Sequence, residues 1–144
     1  MAISRREALV GGGAVLGGLA LLGCSGSLDG KADAERAVVD FHRLLDAGSF
    51  SRIYAASHAE FKKASAEKDF VALLEAIQRK LGPVVSSAAL GWNIKRFNLD
   101  LNVHLGYKTN FAHGEADESF LYRIDNSKAS LLAYNINSLA LMTK

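Results

Sequence analysis

The most informative polar side chain in this 144-residue sequence is that of Glu118. It alternates with apolar residues in a segment typical of a β-strand, at positions Ala116, Phe120, Tyr122 and Ile124. The carboxylate is therefore expected on the mostly apolar face, where it must bind donors or cations or have its pKa raised. With a raised pKa, Glu118 could act as a general base. The alternatives are a structural ion pair with an arginine or lysine of the helices, and a strand-edge position that leans into water.

Few other residues suggest chemistry. Tyr107, Thr109 and Tyr122 are expected on the same inward faces, where they could line the mouth of a pocket, although aromatic residues at such spacing more often belong to a core. The sequence has no glycine-rich phosphate loop, no G-x-S-x-G turn and no H-E-x-x-H pair. The four histidines fall on different predicted elements and are expected to be surface or hydrogen-bonded residues: His42, His58, His104 and His113. We predict no metal site and no cofactor.

Composition excludes several classes of protein. Seventeen Lys and Arg against fifteen Asp and Glu leave a formal charge of +2, which is too small for a nucleic-acid-binding protein. A single cysteine excludes a disulfide framework within the chain and a zinc site built from several cysteines. Because 49% of the residues are hydrophobic, the chain is expected to bury a core.

The first 23 residues are expected to be a cleavable export signal. Arg5 and Arg6 supply a positive start, and the uncharged segment 8–22 is shorter than the ~20 residues that span a bilayer. The sequence around the two arginines resembles the twin-arginine export motif, which usually has a large apolar residue where this chain has Ala8. The general secretory route therefore remains an alternative.

The end of this signal resembles the lipobox of bacterial lipoproteins, in the sequence Leu21-Leu22-Gly23-Cys24. The resemblance implies that the Cys24 thiol receives a diacylglycerol, that cleavage precedes Cys24, and that the new amino terminus is acylated. Two or more acyl chains hold a protein stably on a bilayer. Ser25 stands where aspartate commonly retains lipoproteins at the inner membrane, which implies the periplasmic face of the outer membrane in a host with two membranes. Residues 24–31 are expected to form the lipidated cysteine and a flexible tether.

Three helices are predicted in the first half of the mature chain. Asp33 could cap the start of the first helix, and Gly48 ends it. Its buried face is expected to be formed by Ala34, Val38, Phe41 and Leu45. The second is expected as one helix over residues 50–63. The third is expected to begin after Ser65 and to end at Gly82-Pro83, with one face formed by Phe70, Leu73, Leu74, Ile77 and Leu81.

After Pro83 the hydrophobic period changes to two, which predicts about four antiparallel strands. The first covers residues 84–95, with Leu90, Trp92 and Ile94 on one face. The second alternates from Leu99 to Phe111, and the remaining two cover residues 115–124 and 128–142. We therefore predict an α+β domain over residues 32–144, with three helices packed on one face of a curved antiparallel sheet.

Several motifs in this order resemble a family of small bacterial periplasmic domains, domain-of-unknown-function family 4019, which has a nuclear-transport-factor-like or cystatin-like cone. The motifs are Asp46-Ala47-Gly48-Ser49-Phe50, Tyr54, Phe61-Lys62, Arg79-Lys80-Leu81-Gly82, Tyr107-Lys108-Thr109-Asn110-Phe111, Glu118 and Tyr134-Asn135-Ile136. The resemblance implies a fold and carries no activity with it.

Three kinds of function remain open, of which the third is a purely structural role in the envelope or in its assembly. The first is a non-catalytic module, anchored to the bilayer through acylated Cys24, that binds an envelope protein or a small apolar ligand. The second is an isomerase-like or dehydratase-like enzyme of the cone fold that uses Glu118 as base, together with Tyr107 or Tyr122. An open cavity at Glu118 would favour the enzyme, and a filled cone, or a Glu118 paired to a lysine or arginine, would exclude it.

Overall fold

The computed structural model describes residues 26–143, with side chains from Gly30 onward. The helices are α1 Gly26–Asp46, α2 Phe50–Ala55, α3 Ala59–Ala64, α4 Glu67–Leu81 and α5 Leu139–Thr143. The strands are β1 Val84–Phe97, β2 Asp100–Phe111, β3 Gly114–Asp125 and β4 Lys128–Asn137. The fold is therefore α+β, as predicted, although it has five helices in the described residues where three were expected. None of these helices is both long and apolar enough to cross a membrane.

Helix α1 has the expected buried face, and all four of its predicted apolar positions are in the core. It begins earlier than predicted, because residues 26–31, which we expected in the flexible tether, are helical. The extra turns are supported by packing of Gly30 on Leu101 and by a Lys31–Glu35 ion pair at helical spacing. Asp33, predicted to cap the helix, lies inside it and pairs with Arg36.

The second predicted helix is two short helices, so the prediction of one continuous helix over residues 50–63 was wrong. The Ser57 hydroxyl donates to the Ile53 carbonyl and closes α2. The next amide, that of His58, donates to the Leu131 carbonyl of β4 and cannot continue the helix. The His58 ring then caps α3, since Nδ1 accepts a hydrogen bond from the Glu60 amide.

Helix α4 follows the predicted pattern closely. Phe70, Leu74, Ile77 and Leu81 are buried, whereas Leu73 is partly exposed. The N-cap is Ala66 rather than Ser65, and it makes no side-chain capping bond. The helix ends at Gly82, whose φ of 75° lies in the region that favours glycine.

The four strands form one antiparallel sheet in the order β1-β2-β3-β4. Its register places Tyr107 opposite Glu118, and Glu118 opposite Ile136.

The alternation predicted for β2 is confirmed for the buried residues Leu101, Val103, Leu105, Thr109 and Phe111. Leu99 was wrongly placed on the buried face: it lies in the β1–β2 turn and is 95% exposed. The last strand ends at Asn137, and α5 occupies part of the segment predicted as strand up to residue 142.

The core lies between the helices and one face of the sheet. Helix α1 contacts all four strands, and the buried side chains of β2 and β3 belong to the same hydrophobic cluster as those of α1 and α4. Strand β1 contributes little to this cluster, because Leu90 and Trp92 are exposed and Ile94 is half-buried. A long edge strand is therefore left with most of its side chains in solvent.

Candidate functional site

Strand parity places the Glu118 carboxylate inside the domain, as expected from the sequence. The residue is 2% exposed, and its side chain has no exposed surface. Its neighbours on the same strand, Phe120 and Tyr122, are also buried. A carboxyl group at such a position requires hydrogen-bond donors from the surrounding elements.

Three side chains from three different elements meet the carboxylate. Thr109 of β2 donates its hydroxyl to Oε1 at 2.6 Å, and Tyr134 of β4 donates its hydroxyl to Oε2 at 2.6 Å. His42 of α1 places Nε2 2.7 Å from Oε1. These contacts match the chemistry of a carboxylate, which only accepts hydrogen bonds. We call Glu118, His42, Thr109 and Tyr134 the carboxylate cluster.

A fifth side chain extends this cluster to the edge strand. The hydroxyls of Ser87 in β1 and Thr109 lie 3.1 Å apart. Thr109 has one hydroxyl proton and uses it toward Glu118, so the Ser87 hydroxyl is the donor in this second bond. The chain of hydrogen bonds therefore connects β1, β2, β3, β4 and α1 through one buried carboxylate.

The electrostatic effect of this arrangement is seen at two tyrosines. Burial, followed by the negative charge of Glu118, raises the pKa of Tyr134 well above its ordinary value of 10.0. The same two causes raise the pKa of Tyr122 strongly. Both phenols are therefore held in the neutral form, and the Tyr134 hydroxyl remains available as a donor to the carboxylate.

Tyr107 is less closely tied to the cluster. It is half-buried, its ring packs edge-on to Phe120 at a centroid distance of 6.1 Å, and burial followed by the charge of Glu35 raises its pKa. Tyr122 stacks on the same phenylalanine with rings 6.1 Å apart and inclined by 5°. Of the predicted pocket-lining residues, Thr109 contacts Glu118 directly, whereas the two tyrosines surround the neighbouring ring.

A cavity of about 180 Å³ lies beside this region, between α1, α2 and strands β3 and β4. Its apolar lining includes Phe41, Ile53, Tyr122 and Leu131, and the charged residues Asp40 and Arg43 also border it. Tyr122 is the one predicted site residue that lines it. The cavity is smaller than the ~300–1,000 Å³ typical of small-molecule pockets.

Sequence reasoning missed the two most important partners of Glu118. The expected partners were an arginine or a lysine, but the ring of His42 occupies this position, and in the described residues no arginine or lysine forms an ion pair with Glu118. His42 lies four residues after Val38 and three before Leu45, so helical spacing on the buried face was the available signal. Tyr134 was quoted only within a family motif and was not assigned to the site.

Other predicted features have simpler positions. His58 caps α3 by accepting a hydrogen bond from the Glu60 amide. No group of three or more potential metal ligands occurs within residues 26–143. The export and lipidation residues Arg5, Arg6, Leu21, Gly23, Cys24 and Ser25 lie outside the described residues.

No protein-family model matches the chain. No curated protein gives a significant match.

Proposed function

We propose that this protein is an exported lipoprotein whose domain is a non-catalytic binding module at the periplasmic face of a membrane. Its partner in this proposal is an envelope protein that pairs with the edge strand β1. The observation that carries the proposal is the concentration of exposed apolar side chains on that strand. Of the nine large exposed hydrophobic residues in the described chain, four lie on β1 and a fifth in the turn that follows it: Val85, Leu90, Trp92, Phe97 and Leu99.

An exposed edge strand of this length is unusual in a protein that acts alone. Strand β1 has 14 residues and, within residues 26–143, one neighbouring strand, β2, so in this part of the chain its other edge presents unpaired backbone groups. Charged residues and bulges normally protect such an edge. Here the register is irregular near Ser86 and near Gly91, and it runs without interruption from Gly91 to Phe97. An extended segment of another protein could add to this regular stretch through main-chain hydrogen bonds and contact Leu90 and Trp92.

The small apolar ligand considered from the sequence is less well supported. The cavity beside Tyr122 is open to solvent and holds only about 180 Å³. A partner that bound β1 would cover more exposed apolar side chains than a ligand in that cavity would. We therefore assign recognition to the strand edge rather than to the interior.

The enzyme alternative, with Glu118 as base, has one observation in its favour: the carboxylate lies within hydrogen-bond reach of a histidine and a tyrosine. A general base must also reach its substrate. Both oxygens of Glu118 already accept protein donors, and a shallow depression over residues 117–119 and 135–137 meets only main-chain atoms of Glu118, since its side chain is fully buried. This enclosure favours a structural role for the carboxylate cluster.

Membrane attachment through Cys24 rests on the sequence. A cysteine that directly follows an export-type apolar segment is the acceptor expected in a lipoprotein, and Ser25 favours the outer membrane where the host has two. We include in the proposal the cone geometry of the cystatin-like fold. It is supported by the order of helices before a four-stranded antiparallel sheet and by the register shifts in β1 and opposite Tyr122, which increase strand bending.

Site-specific photo-crosslinking in cells tests the partner surface. A photoreactive residue at Leu90 should give one discrete adduct with an envelope protein, and the additional substitution Trp92→Glu should abolish it. The matched control places the photoreactive residue at Leu139, a leucine of α5 that is at least as exposed as Leu90. The same adducts from both positions, or no adduct from Leu90, would contradict the proposed surface.

Mass spectrometry of the mature amino terminus tests the anchor. The wild-type protein should begin at Cys24 and carry acyl chains, whereas Cys24→Ala should yield an uncleaved or non-acylated form. An unmodified Cys24 within an intact 144-residue chain would contradict the proposed anchor.

A further inference from the structure

The end of β1 and the turn that follows it carry two apolar side chains into solvent. Phe97 is 73% exposed and Leu99 is 95% exposed, the highest value among the large hydrophobic residues of the described chain. Asn98 between them has a φ of 57°, which forms the reversal of the chain. Turns of this kind are usually built from polar residues and glycine. We call Phe97, Asn98 and Leu99 the hairpin tip.

The hairpin tip lies at the same end of the domain as the start of α1. A Cβ atom on Gly30 would lie 2.7 Å from Cδ2 of Leu101, so the first turns of α1 pack against the residue two positions after Leu99. Lys31 Nζ lies 5.4 Å from the ring centroid of Trp92 on β1. Helix α1 then runs along the sheet to its far end, where the Asp46 carboxylate accepts a hydrogen bond from the Val84 amide.

Chain length limits how far the proposed anchor can be from this end. Cys24 precedes Gly26 by two residues, which span at most about 7 Å even when fully extended. Gly30 follows Gly26 by about 6 Å of helix. A bilayer that held acyl chains on Cys24 would therefore face the end of the domain at which the hairpin tip projects.

Two positively charged side chains lie next to the hairpin tip. Lys95 and Arg96 immediately precede the hairpin tip and are exposed, and in the described part of the chain neither belongs to an ion pair. Apolar side chains next to basic side chains are typical of segments that enter the interface of a membrane with anionic lipids. The charge of these two residues is thus complementary to lipid headgroups.

We propose that the hairpin tip inserts Phe97 and Leu99 into the interfacial region of the bilayer that holds the acylated Cys24. Lys95 and Arg96 then contact anionic headgroups. This inference rests on the proposed acylation of Cys24. With two points of contact, the acyl chains and the hairpin tip, the domain has a fixed orientation on the membrane. The exposed apolar residues that then remain for a protein partner of β1 are Val85, Leu90 and Trp92.

Tryptophan fluorescence in vesicles tests the insertion, because Trp92 is the one tryptophan of the chain. The full acylated protein with W92F and F97W is reconstituted into vesicles of phosphatidylcholine and phosphatidylglycerol that contain bromine-labelled acyl chains. The matched control is W92F with L139W, since Leu139 is 72% exposed and belongs to α5. Helix α5 packs near Gly114, at the opposite end of the 12-residue strand β2, which corresponds to about 35 Å from the hairpin tip.

The proposal predicts that the F97W protein loses most of its emission in bromine-labelled vesicles, and that the L139W protein keeps its emission. Acylated protein whose F97W emission is unquenched would overturn the insertion and leave the proposed anchor intact. If the tryptophan of F97W is shielded from water only at a high protein-to-lipid ratio, the hairpin tip contacts a second copy of the chain. That result would also overturn the proposed insertion. A mature chain without acyl groups on Cys24 would remove the proposed anchor, and the inference with it.

Discussion

The His42 ring of α1 lies 2.7 Å from the Glu118 carboxylate of β3, and this contact joins the first helix to the centre of the sheet. The two residues are 76 positions apart in the sequence. Both side chains are almost fully enclosed. When the contact is broken, water therefore cannot replace the lost hydrogen-bond partner of either one. The contact therefore couples the docking of α1 to the integrity of the buried hydrogen-bond chain.

A double-mutant cycle should detect this coupling. His42→Phe keeps an aromatic ring but removes the hydrogen-bond donor. Glu118→Gln replaces a carboxylate oxygen with an amide group, which is itself a donor and faces the donors that surround it. Each single variant is expected to lower the free energy of unfolding by about 2–4 kcal/mol, with a coupling energy of about 1–3 kcal/mol. Urea unfolding monitored by circular dichroism measures both quantities.

The exposed pair of Asp40 and Arg43 provides the control for this cycle. Their charged atoms lie 3.5 Å apart, but both side chains are mostly in solvent. Because solvent screens such pairs, the same cycle with alanines should give a coupling of about 0.5 kcal/mol or less. A coupling between His42 and Glu118 no larger than that of the exposed pair would show that the buried contact does not stabilise the fold.

Removal of the phenolic donor should also destabilise the domain. Tyr134→Phe leaves Oε2 of Glu118 without its hydroxyl partner in a site that excludes water. The expected loss is about 1–3 kcal/mol in the free energy of unfolding, measured by urea titration. Tyr107→Phe is the control, since it removes a hydroxyl nearby without removing a donor to Glu118, and it should change stability by less than ~0.5 kcal/mol. Equal losses for the two variants would contradict the assigned role of Tyr134.

At the carboxylate cluster, the pattern within one strand predicts the side chains of β2 and β3 but not those of β4. Strand alternation was sufficient to place Glu118 and Thr109 inside, because β2 and β3 pair without a register shift over their whole length. Strand β4 does contain a shift opposite Leu121 and Tyr122, where Leu132 is the additional residue. That shift brings both Leu131 and Tyr134 into the core, so alternation counted from Leu131 would have placed Tyr134 outside.

Other differences between prediction and structure arise from a turn and from a contact between elements. Leu99 continues the alternation of β2 in the sequence, but Asn98 adopts a positive φ and the strand begins only at Asp100. The break between α2 and α3 depends on a hydrogen bond from the His58 amide to β4, which is a tertiary contact. Patterns within one element therefore predicted most of the core, whereas contacts between elements determined the break and the choice of His42.

Alkaline titration should distinguish the buried tyrosines from ordinary ones. The pKa values of Tyr122 and Tyr134 are raised in the folded protein, first by burial and then by the charge of Glu118. Above pH ~10 the unfolded chain loses these protons while the folded protein keeps them, so the unfolded state binds fewer protons and stability falls as pH rises. Each of the two tyrosines contributes a decrease of up to about 1.4 kcal/mol per pH unit until its folded-state pKa is reached.

Two spectra recorded together measure this effect. Phenolate absorbance from Tyr122 and Tyr134 should appear together with the loss of far-ultraviolet circular dichroism. The variant with Tyr122→Phe and Tyr134→Phe should lack this coincident step. Phenolate absorbance of both tyrosines at pH ~10 in a fully folded protein would contradict the raised pKa values.

Gly82, at the junction of α4 and β1, should tolerate a side chain poorly. Its φ of 75° and ψ of −167° lie in a region that other residues rarely adopt, and its amide donates to the Gln78 carbonyl at the end of α4. A Cβ atom there would lie 2.9 Å from Cδ2 of His113 and 3.2 Å from the Cβ of Ala112. Gly82→Ala is therefore expected to lower the free energy of unfolding by about 1–3 kcal/mol in urea titration.

The matched control for this substitution is Gly91→Ala in β1. A Cβ atom on Gly91 would meet no atom within 4 Å, so its expected effect on the free energy of unfolding is within about 0.5 kcal/mol. A comparable loss for the two variants would mean that the replacement of glycine itself, rather than the conformation at Gly82, is the cause. A loss confined to Gly82→Ala would show that the positive φ, together with the contact to the β2–β3 turn, fixes the path of the chain from α4 into the sheet, because Ala112 and His113 belong to that turn.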